Sequence, residues 1–182
     1  FYVENPPEDY KRYELNDSGI SPRVNVWTKN WDFIATSYEH DEYGATSEDS
    51  DLKVKFTEKR FKKLENFFER EWISGYELVN PEAKKIIITT SYTSYTAKEF
   101  VKNNKEFWLM VLKVLKPINE KIREELKDKE EIIFAECNYS WQLENYLTKE
   151  LGLKFIDWLK ISHIRKYDLF PFYIEDFNEL IK

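Results

Sequence analysis

Apolar residues fall into short runs whose spacing changes along the chain. Near the start, Val24, Val26 and Trp27 make one β-like run and Phe33, Ile34 and Thr36 another, with Lys29-Asn30 between them as a hairpin turn. Leu52, Val54 and Phe56 alternate with Lys53 and Lys55, the period of a half-buried strand. Thr57 then reads as an N-cap, and Phe61, Leu64, Phe68 and Trp72 recur at helical spacing as an aromatic stripe that ends at Gly75. Ile86, Ile87 and Ile88 mark a buried strand within residues 84–92. Thr96-Ala97-Lys98-Glu99 has the form of a capping box. A long helix is expected from it, carrying Phe100, Phe107, Trp108, Val111, Leu115, Ile118, Ile122 and Leu126 on one side and broken near Pro117. Residues 132–135 predict a second buried strand. Ser140 caps a helix bearing Leu143, Leu147 and Leu151, closed by Gly152. A further strand over 153–161 and a short amphipathic helix near 176–181 complete the pattern.

Meander strands first and helix-linked strands afterwards predict an α+β or mixed α/β domain: N-terminal antiparallel strands, then helix-linked strands in one mixed sheet with helices packed on it. Residues 1–22 contain Asn5-Pro6-Pro7 and Asn16-Asp17-Ser18-Gly19, two turn clusters that predict an irregular arm, leaving residues 23–182 as the single domain.

Composition narrows the function classes. The 182 residues are 42% hydrophobic and 17% aromatic, which excludes a disordered chain. One cysteine, Cys137, excludes Cys-rich zinc sites and clusters, and four glycines are too few for a glycine-rich phosphate cradle. No cofactor motif is present. No apolar run reaches the length of a membrane span. The lone thiol favours a reducing, cytoplasmic setting. The chain opens on Phe1, so a fragment, an excised domain or a processed product is expected. A net charge of −6 disfavours nucleic acid, although His163-Ile164-Arg165-Lys166-Tyr167 interleaves basic and aromatic residues.

The acids are concentrated. Between Lys29 and Lys53 there is no Lys or Arg, while Asp32, Glu39, Asp41, Glu42, Glu48, Asp49 and Asp51 fall there. Asp49-Ser50-Asp51, just before the expected strand, has carboxylates at the spacing that holds a hard divalent ion. With Gly44 before it and Leu52-Lys53-Val54 after, it resembles the acid pair of nucleotidyltransferases, but residues 45–48 are too few for the helix that family needs. Glu150-Leu151-Gly152-Leu153-Lys154-Phe155 resembles the late helix–glycine–strand step of acetyltransferases, whose glycine-rich pyrophosphate loop is replaced here by Ser91-Tyr92-Thr93-Ser94-Tyr95. Ser91, Thr93, Ser94 and Thr96 lie between a strand and a helix start, where hydroxyls cap amides and where a ligand can dock. His40 and His163 lack the surroundings of a catalytic triad, Cys137 reads as an inert thiol, and Glu131, Glu136 and Glu144 are too ordinary in so acidic a chain to mark acid–base catalysis.

The leading expectation is therefore a protein-binding module of inhibitor or immunity type. Its loop 38–51 would engage a basic surface on a partner protein through Tyr38, Glu39, Asp41, Glu42, Tyr43, Glu48, Asp49 and Asp51, with no metal and no cofactor. The alternative is a metal-dependent transferase or hydrolase built on Asp49 and Asp51.

Overall fold

A computed structural model describes residues 1–153 and 158–181. The chain divides into two compact units, Phe1–Arg70 and Glu71–Lys182.

The first unit is mostly irregular and carries one long helix, α1, Ser50–Lys62. The strands expected at 24–27, 33–36 and 52–56 are absent among the described residues. Trp27 and Asn30 have positive φ, which breaks the extended backbone, and Val26, Trp27, Phe33 and Ile34 are exposed. The ordered pairings are isolated bridges, Tyr2 with Arg23 and His40 with Thr46. The alternating run 52–56 is helical because the Asp49 carboxylate accepts the Leu52 N–H at 2.7 Å and starts a helix there. On a helix, Leu52 and Phe56 share a face at i and i+4, while Val54 turns to solvent. Thr57 is no cap: its hydroxyl donates back to the Lys53 carbonyl inside the helix. The aromatic stripe is not continuous either. The chain leaves the helix at Lys63, Asn66 adopts a positive φ, and a short helix α2, Phe67–Glu71, follows.

The second unit holds a five-stranded mixed sheet. Its strands are β1 (Tyr76–Val79), β2 (Lys85–Thr90), β3 (Phe107–Leu112), β4 (Glu131–Glu136) and β5 (Lys160–Arg165), in the order β1-β3-β2-β4-β5. Strands β2 to β5 are mutually parallel, and β1 lies antiparallel on β3. The mixed α/β class is thus as expected, with the antiparallel strand at one edge of this sheet instead of in an N-terminal meander.

Helices cover both faces: α3 (Thr93–Asn103) and α6 (Ile174–Phe177) on one, α4 (Lys121–Leu126) and α5 (Gln142–Glu150) on the other. A parallel strand buried on both sides needs apolar residues at every position. Ile86, Ile88, Trp108, Met110, Leu112, Ile132 and Phe134 pack toward α4 and α5, while Ile87, Phe107, Leu109, Val111 and Ile133 pack toward α3 and α6. This double burial explains the largest error of periodicity. Phe107, Trp108 and Val111 fit a helical spacing, yet all six residues of β3 are buried, and strand alternation sends them to opposite faces. The expected capping box does not form. Helix α3 starts earlier, at Thr93, and the Thr96 hydroxyl donates to the Phe172 carbonyl at 2.9 Å, tying the α6 segment to α3. Pro117 lies between β3 and α4. The strand expected over 153–161 falls partly on residues 154–157, outside the described residues, and β5 begins at Lys160.

Trp108 is the largest side chain of the core, with the Lys129 ammonium 3.9 Å from its ring centre. Lys129 is itself buried and donates to the Pro81 and Ala83 carbonyls, so the tryptophan anchors the turn before β2 as well as the sheet. Trp108→Ala is expected to lower unfolding free energy by about 3–5 kcal/mol in urea titration, the cost of a large aromatic cavity.

Candidate functional site

The sheet topology places a crevice at one position. From β2 the chain crosses through α3 to β3 on one side, and the later strand β4 pairs with β2 on the other side. Where successive connections leave in opposite directions, the carboxyl ends of the two strands part and leave room for a ligand. The registers show the parting. Pairing of β2 with β3 continues to Thr90 and Leu112, whereas pairing of β2 with β4 stops at Ile88 and Phe134. The buried Thr89 hydroxyl spans the split, donating to the Ala135 carbonyl at 2.7 Å.

Above this split lies a cavity of about 420 Å³. Its walls come from the turn after β2 (Ser91, Tyr92, Thr93), the end of β4 (Glu136, Cys137, Asn138) and the connection after β3 (Leu115, Lys116), with α5 contributing Leu143 and Tyr146. Ser91 has φ +56°, which turns the chain sharply from strand into helix α3. Its carbonyl accepts the Ser94 hydroxyl at 2.7 Å, so this hydroxyl closes the turn. The Thr93 hydroxyl lies 3.5 Å from the Cys137 thiol, and donation of the Tyr92 hydroxyl to the Cys137 sulfur raises the Tyr92 phenol above its ordinary value.

Glu136 is the organising group of the floor. It is 4% exposed and accepts hydrogen bonds from the Asn138 amide at 2.6 Å and from the Leu143 and Glu144 N–H groups at 2.9 and 3.3 Å. A carboxylate at the end of β4 thus caps α5, the task expected of Ser140; the residue at the cap position is Trp141, in the left-handed region without a side-chain cap bond. With both its oxygens accepting from these donors, Glu136 has a structural role. The cavity offers hydroxyls, the Asn138 and Gln142 amides, a thiol, the Lys116 side chain and apolar walls, the make-up of a site that binds and orients a small organic molecule. Beyond its edge, Trp141 stacks on His163 at 4.6 Å and lies under the Arg165 guanidinium at 4.4 Å, and His163 sits 3.5 Å from Glu144. These residues cover one face of β5, far from the triad-like role considered for His163.

The acidic residues of loop 38–51 have other positions, all in the first unit. Glu39 pairs with Arg60 and Lys53, and Glu42 pairs with Lys11 at 3.0 Å and accepts the Leu15 N–H at 2.8 Å. Asp41 accepts the Tyr43 and Ala45 N–H groups, both at 2.9 Å, which closes a turn. Asp49 caps α1 and Asp51 sits in its first turn. Tyr38, Tyr43, Glu48 and Asp51 are exposed. Two of the acids, Glu39 and Glu42, are thus internal partners for basic residues distant in sequence, and two more, Asp41 and Asp49, accept backbone N–H groups, which no charge count reveals. Among the described residues no group of three or more His, Cys, Asp or Glu side chains is arranged to hold a metal ion, and the metal reading loses Asp49 to its capping role.

No family model matches the chain. It is similar to the alpha subunit of a 2-oxoacid:ferredoxin oxidoreductase from Saccharolobus solfataricus, 30% identical along 98% of this chain and 28% of that subunit. A 68-residue stretch is 40% identical to the alpha subunit of 2-oxoacid:ferredoxin oxidoreductase 2 from Aeropyrum pernix, covering 37% of this chain and 10% of that one. Among solved structures, 2-oxoglutarate:ferredoxin oxidoreductase from Magnetococcus marinus, with 2-oxoglutarate, coenzyme A and succinyl-CoA bound, superposes with a TM-score of 0.70 and 24% identity, over 97% of this chain and 31% of that one. The chain therefore spans less than a third of the length of these relatives. Their names overturn the expectation of an inhibitor or immunity protein: the sequence is related to part of an enzyme subunit. The nucleotidyl- and acetyltransferase resemblances rested on short segments, and the match to the oxidoreductase subunits runs along nearly the whole chain. No helix among the described residues is long and apolar enough to cross a membrane.

Two outcomes follow from this geometry. Glu136→Ala leaves the Leu143 and Glu144 N–H groups without their charged acceptor and is expected to cost about 2–3 kcal/mol in chemical denaturation. The Arg60 hydrogen bond holds the Glu39 carboxyl down at about 2 in the folded chain. A depressed carboxyl stabilises the fold above its unfolded value of about 4.5, and that contribution is lost as pH falls toward 2. Melting temperature should fall across this window, and Glu39→Gln should flatten the fall.

Proposed function

We propose that this chain is part of the alpha subunit of a 2-oxoacid:ferredoxin oxidoreductase and serves there as an α/β domain with a binding cleft, in an assembly with at least one further polypeptide. The observation that carries this reading is the alignment at 30% identity along 98% of the chain with the Saccharolobus alpha subunit. The like fold of the Magnetococcus enzyme supports the structural side of it.

The cleft suits a share in such a reaction that consists of binding and orientation. The Glu136 carboxylate that faces it is committed to capping α5, and the other polar groups there are hydroxyls, the Asn138 and Gln142 amides, the Cys137 thiol and the Lys116 side chain, all groups that bind and position a ligand. Reaction chemistry then belongs to the remaining two-thirds or more of the subunit and to its partners. Coenzyme A, named with the Magnetococcus structure, and the 2-oxoacid are the small molecules such an assembly handles.

The test is capture of the tagged natural protein from its source cells, followed by an assay of ferredoxin reduction. The expected result is co-purification with a second polypeptide, in a preparation that reduces ferredoxin when a 2-oxoacid and coenzyme A are supplied. A single polypeptide whose preparation leaves ferredoxin oxidised under those conditions overturns the proposal.

A further inference from the structure

The first unit contains a second cavity, of about 250 Å³, whose lining is unusual for a chain of net charge −6. Arg12, Arg23, Lys59, Arg60 and Lys63 face it, and no Asp or Glu does. The helix dipole accounts for part of this, since Lys59, Arg60 and Lys63 lie at the carboxyl end of α1. It does not account for Arg12 and Arg23, which reach the same cavity from two other segments.

Elsewhere in this unit three basic side chains have carboxylate partners, Lys11 with Glu42, Lys29 with Glu8 and Lys53 with Glu39, while Lys55 and Lys62 project from α1 without one among the described residues. Around the cavity the pairing stops. Only Arg60 has a carboxylate, Glu39, on its far side. Arg12 lies over the Phe33 ring at 4.5 Å, and Arg12, Arg23 and Lys63 make no ion pair among the described residues. Lys59 is held by neutral acceptors, the Tyr13 carbonyl at 2.6 Å and the Ser21 hydroxyl at 2.5 Å, which leaves the third of its N–H groups for another partner. Burial pulls its ammonium down to about 8, and the neighbouring Lys63 and Arg60 charges act in the same direction. The nearby Glu42 opposes this through space but is itself engaged by Lys11 and the Leu15 N–H.

The walls are fixed rather than adaptable. Gly19 has φ +70°, and a Cβ there would lie 2.7 Å from the Lys63 nitrogen and 2.8 Å from the Lys59 carbonyl oxygen, so the 16–21 turn sits directly against the last turn of α1. Tyr13 stacks on His40 at 4.1 Å, and His40 meets Phe56 at 5.0 Å, closing another side with rings.

We propose that this cavity binds a small organic phosphate carrying more than one phosphoryl charge. Guanidinium groups pair with phosphate oxygens in a bidentate manner, and an ammonium adds a point charge, which is the combination converging here. A single carboxylate or chloride leaves most of these cations unmatched, whereas linked phosphoryl groups match several at once. The site lies wholly within Phe1–Arg70 and does not depend on the reading of the cleft in the second unit.

Titration calorimetry of the whole chain with inorganic diphosphate, and separately with ADP, tests this. Saturable binding with one site per chain is expected, weakening as salt is added. The Arg12→Gln, Arg23→Gln double variant should bind at least about tenfold more weakly, because each substitution removes a charge-assisted contact. Lys127→Gln, on an exposed helix end of the second unit, should bind as the unmodified chain does. Lys63→Gln, whose side chain makes no ion pair, provides the same comparison should the double variant fail to fold. Absence of saturable binding to both ligands overturns the proposal, and so does equal weakening by Lys127→Gln, which would mark diffuse attraction to surface charge.

Discussion

Burial of the parallel strands on both faces is the constraint on which the second unit depends. A strand covered by helices above and below has no polar face, so β3 is apolar at all six positions and β2 and β4 carry the apolar runs 86–88 and 132–135, with polar residues at their ends, and their backbone polar groups are satisfied along the ladder. The requirement extends to the covering helices, each of which offers one apolar stripe: Ala97, Phe100 and Val101 on α3, Leu143 and Leu147 on α5. Once β2 is central and its neighbours arrive from opposite sides, the parting of strands beyond Ile88 is unavoidable. The cleft is therefore a product of topology, and Thr89 and Glu136 are the polar residues that make the opening tolerable inside an apolar layer.

The first unit is held by a different principle. It has few regular elements, and its described polar network ties residues far apart in sequence: Lys59 to Tyr13 and Ser21, Arg60 to Glu39, Glu42 to Lys11 and Leu15. Exposed ion pairs of this kind are individually weak, so the organisation rests on their number, on the capped helix α1 and on the close seat of Gly19 against it. Glu39 and Glu42 in the acidic stretch are matched by Lys11, Lys53 and Arg60, whereas most of the cations around the cavity have no carboxylate partner among the described residues.

This contrast explains why function was misjudged from composition. A cluster of seven acids in a stretch without basic residues suggested a surface made for a basic partner. Two of them, Glu39 and Glu42, have their partners within the same unit, contributed by Lys11, Lys53 and Arg60. The cleft, by comparison, left almost no local trace. Its hydroxyl-rich turn is visible at Ser91, Thr93 and Ser94, but Glu136 and Cys137 read as ordinary because their neighbours lie on α5 and at the start of α3.

The amino-acid sequence by itself determined the class of fold and several of its elements: the runs at 86–88 and 132–135 are strands, and the leucine stripe 143–151 is a helix closed by Gly152. Tertiary structure alone decided that Phe107–Leu112 is a strand, that Leu52–Phe56 is helical, and that Asp49 is a cap instead of a ligand. The physical reason is that periodicity reports which residues avoid water, and a fully buried strand avoids it at every position. Which neighbours satisfy a charge or an open N–H depends on segments brought together only by the fold.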